Sequence, residues 1–590
     1  MIVAPTPRFL ALCLSMLLLA GLLISAAPAA GAEWRPPNVV VILVDDAGLM
    51  DFGAYGGEAR TPHIDALADA GVMFSNYHTS PLCAPSRAML LTGLDNHLTG
   101  VATIPEVLID SQRDQDGYRM ALAPGVETVA ARLQRAGYRT YMTGKWHLGS
   151  GPGDLPVDHG FDRSFALDAS GADNWEQKSY MPYYDEAPWF EDGAPADLPE
   201  DFYSSAFIVD RMIDYLRAGD SAQPFFAYLA FQAIHIPIQA PREFIDRYDG
   251  VYDGGWDELR KQRWRRAQTL GLIPSGAELG PMHPTLRRWE ALSDDEQKLY
   301  SRSMAVNAGM LDAMDHHIGR LIAYLREQEA FANTLFVVTS DNGPEFNDPV
   351  NASGMGLWMW MNGYHHDLER LGERGSLAFI GPEWASAAAS PGSLFKFYAS
   401  EGGLRVPLIV SGPGVGALGL VGARSFVTDL APTILDLAEA DPTEREGLSG
   451  RSLRDVLDST SLEVYGPEEA VAIEVSGNAA LFQGDYKLVR NTLPHGDGQW
   501  RLYFLKGDPG ETRDMAEALP ARFEALKAAY ANYAGRVGVI APPDGFNPLE
   551  ALRANTLARQ RGVSLPLTLA VILLLGLGGA LLLWRRRSGR

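Results

Sequence analysis

Between Asn38 and Val44 the chain reads Asn-Val-Val-Val-Ile-Leu-Val, and two aspartates, Asp45 and Asp46, follow at once. A run with no polar alternation cannot line a sheet surface, where every second side chain meets water. It reads as a strand buried on both faces, the habit of parallel sheets. Residues 224–235, 334–343 and 406–414 repeat the pattern. Helical patterns at 61–71, 126–137 and 301–327 lie between these runs. Strands that alternate with helices predict an α/β fold whose sheet is covered on both sides.

Polar residues gather where the apolar runs stop: Asp45 and Asp46, then His235, then Asp341 and Asn342. Open α/β sheets bind ligands at the carboxyl ends of their strands, so these positions converge on one expected site. Adjacent strand residues point to opposite faces. Asp45 and Asp46 therefore share a site only if the chain is already turning, and Ala47-Gly48 is the expected bend.

The runs and helices place an α/β domain at 33–460, with a charged, Trp-rich insertion at about 248–300. Short strand patterns and a helix at 521–533 predict a smaller α+β domain at 461–540, followed by a linker at 541–562. A net charge of −23 argues against nucleic acid as a partner, because a phosphate backbone would repel this surface. Residues 1–32 have the basic start, apolar middle and Ala-Gly-Ala ending of a signal peptide. Residues 563–584 are expected to form a transmembrane helix, and the basic tail at 585–590 to stay in the cytoplasm. Together these predict an exported protein anchored to the cytoplasmic membrane, with its α/β domain on the periplasmic or extracellular side.

The chain has two cysteines, and one of them, Cys13, lies in the expected leader. An exported chain left with the single thiol Cys83 cannot staple itself internally, so that thiol is either inert or chemically used. It opens the stretch Cys83-Ala-Pro-Ser-Arg-Ala-Met-Leu-Leu-Thr-Gly93, which resembles the signature Cys-x-Pro-Ser-Arg-x-x-x-Leu-Thr-Gly of type I sulfatases. These are formylglycine-dependent arylsulfatases of the alkaline phosphatase superfamily, and the bacterial arylsulfatases are the most similar. A second stretch, Thr143-Gly-Lys-Trp-His-Leu-Gly149, is similar to another signature of that family. Ala233-Ile-His-Ile-Pro237 resembles the family's Ala-Pro-His-x-Pro, with Ile234 where proline is common. Lys396 stands five residues before Glu401-Gly-Gly-Leu-Arg-Val-Pro407, which is the family spacing.

The resemblance implies an alkaline-phosphatase-like large mixed β-sheet sandwiched by helices. It implies hydrolysis of a sulfate monoester, on a small molecule or a sulfated sugar. Cys83 would be converted to Cα-formylglycine (3-oxoalanine) by a formylglycine-generating enzyme. Asp45, Asp46, Asp341 and Asn342 form an all-oxygen set, suited to Ca²⁺ or Mg²⁺ rather than zinc. The family implies one Ca²⁺ rather than Mg²⁺, with the hydroxyl of residue 83 or a substrate oxygen completing the shell. By the same resemblance Arg87 holds the nucleophile, Lys145 contacts sulfate and His147 takes the proton that expels it. His235 or Lys396 would protonate the leaving oxygen, and Asp341 would accept the nucleophile's proton. A phosphonate monoester or phosphodiester hydrolase of the same superfamily, and an inactive membrane-tethered binding protein, are the alternatives. His97, His365 and His366 are candidates for the pocket mouth. His316 and His317 ride on a helix whose Met304, Met310, Leu311, Met314 and Ile318 recur at packing intervals.

Overall fold

The strand Asn38–Val44 sits inside a ten-stranded sheet and is buried along its whole length. The computed structural model of the protein describes residues 35–560. The strands run in the order Gly419–Val421, Val72–Phe74, Leu408–Ser411, Thr334–Ser340, Asn38–Val44, Phe225–Ala230, Arg139–Lys145, Arg163–Leu167, Trp189–Glu191, Ala194–Pro195. The five from Thr334–Ser340 to Arg163–Leu167 are mutually parallel. Val41 pairs with Tyr228 on one side and Val337 on the other, so these strands end level with one another. Each fully buried Val, Ile or Leu of Asn38–Val44 contributes roughly 1.5–3 kcal/mol of transfer free energy, an upper figure for a real unfolded chain.

Leu408–Ser411 is antiparallel to both of its neighbours, which makes the sheet mixed. A run buried on both faces encodes burial but no direction, so the sequence could not supply this. The helix Asp294–Glu327 opens with a capping box between Ser293 and Glu296 and buries Met304, Met310, Leu311, Met314 and Ile318. His316, on the same helix, is exposed.

A separate four-stranded antiparallel sheet is formed by Ala470–Val475, Asn478–Gln483, Tyr486–Arg490 and Trp500–Phe504. Its side chains divide with a period of two. Ala472, Leu481, Leu488 and Leu502 face the helix Pro520–Val537, while Ile473, Phe482 and Val489 face Leu404 and Phe426. The stretch read as a linker contains a helix at 548–560. That helix is tied down by Asn555, whose Nδ2 donates to the carbonyls of Glu106 and Leu108 at 2.9 and 3.0 Å.

The expected transmembrane helix, and the membrane anchoring built on it, need correction. Among the described residues no helix is long and apolar enough to cross a membrane. The longest, Asp294–Glu327, is amphipathic and carries charge along its open face. The segment 563–584 and the signal segment 1–32 lie outside the described residues.

Candidate active site

Leu82 is extended, and Cys83 begins the helix Cys83–Thr92, all ten residues of which are buried. The Ser86 hydroxyl accepts the Ser80 amide at 2.9 Å and donates to the Ser80 carbonyl at 3.1 Å, which pins the turn before the helix. Arg87, one helical turn after Cys83, donates from Nε and Nη2 to Asp341 Oδ2 at 2.9 and 2.7 Å. Its Nη1 donates to the Lys145 carbonyl at 2.8 Å, and Nη2 lies 3.4 Å from Asp45 Oδ2. Lys145 ends the strand Arg139–Lys145, and His147 follows with φ +57°. A left-handed histidine is uncommon, and here it turns the ring back so that Nδ1 lies 3.5 Å from Cys83 Sγ. Gly144, one residue before Lys145, has φ +106°, and a Cβ there would meet the Ala230 carbonyl at 1.9 Å.

The carboxylates close around these cations. Asp45 Oδ2 lies 2.6 Å from Lys145 Nζ, and Asp46 Oδ1 lies 2.7 Å from Lys396 Nζ. The turn that brings both aspartates to one site falls on Asp46 itself, at φ +69°, one residue before the expected Ala47-Gly48 bend. Asn342 Nδ2 donates to Asp46 Oδ1 at 2.6 Å, and the Asp46 amide donates to Asp341 Oδ1 at 3.3 Å. Burial would raise Asp45, but Lys145, Arg87 and Lys396 outweigh it and hold the carboxyl below its ordinary value. Burial raises Asp46 well above that value, with Lys396 only partly offsetting it and Asp45, Glu345 and Asp341 adding to the rise. Burial and Asp45 likewise raise Asp341, against Arg87 and Lys145.

Three buried oxygens in this cluster have no hydrogen-bond partner: Asp45 Oδ1, Asp46 Oδ2 and Asn342 Oδ1. Buried polar atoms are normally satisfied, so three unsatisfied acceptors together form an oxygen set that suits a cation. Asp341 differs, since Arg87 and the Asp46 amide already engage its oxygens. His235 stands beside the cluster, with Nε2 3.8 Å from Asp46 Oδ2, and could serve as a further ligand. Three cations, Arg87, Lys145 and Lys396, face four carboxylates, Asp45, Asp46, Asp341 and Glu345. That leaves one negative charge, and a divalent ion would turn the balance to one positive.

Glu345 is a residue that sequence reasoning missed. Its Oε2 lies 2.9 Å from Lys396 Nζ and 3.9 Å from His235 Nε2. Its one sequence cue is its place four residues after Asp341, and nothing in the chain announces that Lys396 will meet it. His235 directs Nδ1 at the Ile236 carbonyl, so the neutral ring carries its proton there and offers a lone pair at Nε2. Burial, with Lys396 and Lys145, keeps His235 well below its ordinary pKa. Burial and Lys145 bring His147 down to about 4. The edge of Tyr180 meets the His235 ring at 5.4 Å.

The histidines considered for the pocket mouth have other roles. His97 is buried between Asp95 and Glu474, at 3.2 and 2.8 Å, which raise it to about 9 against the opposing effect of burial. His366 stacks on Phe379 and bonds to the Leu377 carbonyl, and His365 lies 3.7 Å from Asp367.

Comparison with known proteins decides the family. The Sulfatase family model matches residues 37–440. The chain belongs to the sulfatase family. It is similar to an arylsulfatase of Klebsiella aerogenes, 36% identical over 435 residues, covering 72% of this chain and 91% of that protein. It is also 34% identical over 538 residues to an uncharacterised sulfatase of Schizosaccharomyces pombe, covering 87% of this chain and 96% of the relative. Among solved structures, one bound to k-i-k-neocarrahexaose superposes with TM-score 0.62 at 21% identity, covering 88% of this chain and 98% of that one. Another, in complex with its substrate D-glucosamine-2-N,6-O-disulfate, superposes with TM-score 0.57 at 21% identity, covering 85% and 98%. The protein is a type I sulfatase of the alkaline phosphatase superfamily, a hydrolase of sulfuric esters.

Beside His147 the sulfatase has a cavity of about 220 Å³, lined by Ala84, Asp168, Tyr183, Tyr184 and Arg559 among others. Arg559 comes from the helix at 548–560 and lies over the Tyr183 ring at 5.1 Å, 4.0 Å from Asp185. The sulfatase thus borders its catalytic histidine candidate with a segment from the far end of the described chain.

Proposed function

We propose that the sulfatase cleaves sulfate monoesters at residue 83 after Cys83 is oxidised to Cα-formylglycine, with one Ca²⁺ held by Asp45, Asp46, Asn342 and Asp341 and completed by residue 83. The observation that carries this reading is the set of three unpartnered buried oxygens beside Cys83, Arg87, Lys145 and Lys396. An all-oxygen donor set favours Ca²⁺ over softer metals. Burial raises the Cys83 thiol above its ordinary pKa, which makes the unmodified side chain a poor nucleophile and supports the need for modification. Hydrated formylglycine supplies two hydroxyls, one to take the sulfuryl group and one through which it can be released. The cation, when bound, supplies charge neutralisation at the sulfate oxygens.

The chain's own groups do the rest. Lys145 and Lys396 present ammonium groups to the substrate sulfate, while Arg87 orients Asp341 and braces the turn carrying Lys145. His147 is neutral, and its Nδ1 faces residue 83, so it can accept a proton at that atom. His235 has its proton committed to the Ile236 carbonyl, so of the two candidate acids Lys396 is the better placed. Asp46 and Glu345 outweigh the effect of burial and keep the Lys396 ammonium protonated, ready to donate to the leaving oxygen. Each such proton transfer is worth about 10²–10⁴ in rate.

We infer a sulfated sugar as the substrate class, with a simple aryl sulfate as the second reading. The sugar is supported by the Tyr183 and Tyr184 wall, by Arg559 at the rim, and by the sugars bound in two structural relatives. A formylglycine-generating enzyme would be the maturation partner, and export rests on the leader-like residues 1–32 alone. The test is hydrolysis of sulfated monosaccharides, an aryl sulfate, an aryl phosphonate and a phosphodiester by protein made with the maturation enzyme, with mass spectrometry at residue 83. We expect formylglycine there and preference for sulfate. An intact thiol in active protein, undiminished activity in Cys83→Ala, or preference for phosphonate would overturn the proposal.

A further inference from the structure

We propose that the sulfatase has a second oxyanion site, separate from the catalytic centre and built around Arg260. Arg260 lies on the helix Gly255–Thr269 and is 6% exposed. Its Nη1 donates to the Gly280 carbonyl at 2.5 Å, and its Nε has no partner. Among the described residues no carboxylate comes within ion-pair distance of it. Arg263, three positions further along the same helix, is equally buried but is paired with Asp51 at 2.7 Å and Glu58 at 2.6 Å. The insertion therefore neutralises one buried guanidinium and leaves the other open.

That open guanidinium lines a cavity of about 310 Å³ between the insertion, the segment before Lys396 and the four-stranded sheet. The acid among the lining residues, Asp497, is taken by Arg501 through two bonds of 2.9 and 2.6 Å. Arg260 is left as the uncompensated charge. Hydroxyl-bearing residues line the same cavity. The Ser400 oxygen accepts from Asn491 Nδ2 at 2.8 Å, which leaves the Ser400 hydrogen free to donate, and the Ser386 hydroxyl also lines the cavity. His283 and His495 face each other across the rim with their Nδ1 atoms 3.5 Å apart. Burial draws Arg260 down to about 10, with Asp257 only partly opposing, so the side chain is still a cation at neutral pH.

A buried guanidinium without a counterion, amid hydroxyl donors and with no free carboxylate, fits a tetrahedral oxyanion. Sulfate, the reaction's own product, and phosphate share that chemistry. Phe395 lines this cavity while its neighbour Lys396 reaches Asp46, so occupancy is one residue away from the candidate catalytic acid.

Calorimetric titration of the full chain with sulfate, and separately with phosphate, tests the site and distinguishes the two anions. We expect two classes of binding in the unmodified protein. Arg260→Gln should weaken one class at least tenfold and leave inhibition of turnover by sulfate at the catalytic centre unchanged. Crystals soaked in selenate supply a readout that needs no variant: an anomalous selenium peak within hydrogen-bonding distance of Arg260. A single binding class in the unmodified protein, both classes intact in Arg260→Gln, or a selenium peak confined to the catalytic centre would overturn the proposal.

Discussion

Replacing Lys487 with methionine measures how much one buried cation supports the floor beneath the Lys396 loop. Lys487 has no exposed side-chain surface, and its Nζ lies 2.8 Å from both Glu401 Oε1 and Glu511 Oε1. Glu401 also meets His78 Nε2 at 3.2 Å, and Glu511 accepts the Ser393 hydroxyl at 2.7 Å and the Glu401 amide at 3.1 Å. Methionine keeps most of the stem's volume and removes the charge, stranding two carboxylates. Deleting one partner of a buried pair costs roughly 3–5 kcal/mol, and a cation shared by two acids belongs at about 4–5. The pH dependence gives a second signature. Burial pushes Glu401 up, but Lys487, His78 and Arg405 more than offset it and hold the carboxyl well below its ordinary value. A depressed carboxylate contributes stability that is present above the unfolded value near 4.3 and lost as pH falls towards the folded one. Without Lys487 the depression shrinks, so the gap between the two proteins should narrow below about pH 4.3. Urea unfolding of both proteins across pH reads this directly. Adding Glu401→Gln and Glu511→Gln should recover most of the loss. A cost under about 1 kcal/mol, typical of an exposed pair, or a gap that widens on acidification would refute the reasoning.

Chelation should abolish turnover, and Ca²⁺ at about 100 times its Kd should return about 2.7 kcal/mol of stability; unfolding curves indifferent to Ca²⁺ would count against the oxygen cluster as the ion site. Arg559→Ala should raise KM for an anionic sugar sulfate about 2–5-fold with kcat unchanged, the scale of an exposed cation over a ring; steady-state kinetics showing an equal loss in kcat would place Arg559 elsewhere in the reaction. Burial raises Asp315 to about 7 although it accepts the amides of Ile64 and His63. Its contribution to stability is complete below the unfolded value near 3.9 and lost as pH rises through 7, so Asp315→Asn should flatten the stability profile between about pH 4 and 7; an unchanged slope in urea titrations would disprove this.

What the sequence disclosed follows physical range. Burial on both faces leaves a local signature, so the strands at 38–44, 225–230 and 334–340 could be read directly. Their carboxyl ends then named Asp45, Asp46, His235, Asp341 and Asn342, which the fold brings together. Lys145 and His147 were legible through the resemblance of the stretch Thr143–Gly149 to a family signature, which is local as well. Contacts between distant segments were not. Glu345 meets Lys396 across an intervening segment that includes the helices Met355–Met361 and Gly381–Ala388, and Lys487, on a strand of the small sheet, meets Glu401 outside it; neither contact leaves a periodicity. The direction of Leu408–Ser411 and the docking of 548–560 against Glu106 and Leu108 are tertiary outcomes of the same kind.

The residues proposed to do the chemistry all fall before position 400, whereas part of the rim of the adjoining cavity comes from the helix at 548–560 that holds Arg559. Substrate preference can therefore drift through changes to that one helix while the reaction's equipment is inherited intact. A version trimmed after the helix Pro520–Val537 would be expected to keep its chemistry and lose some of its discrimination.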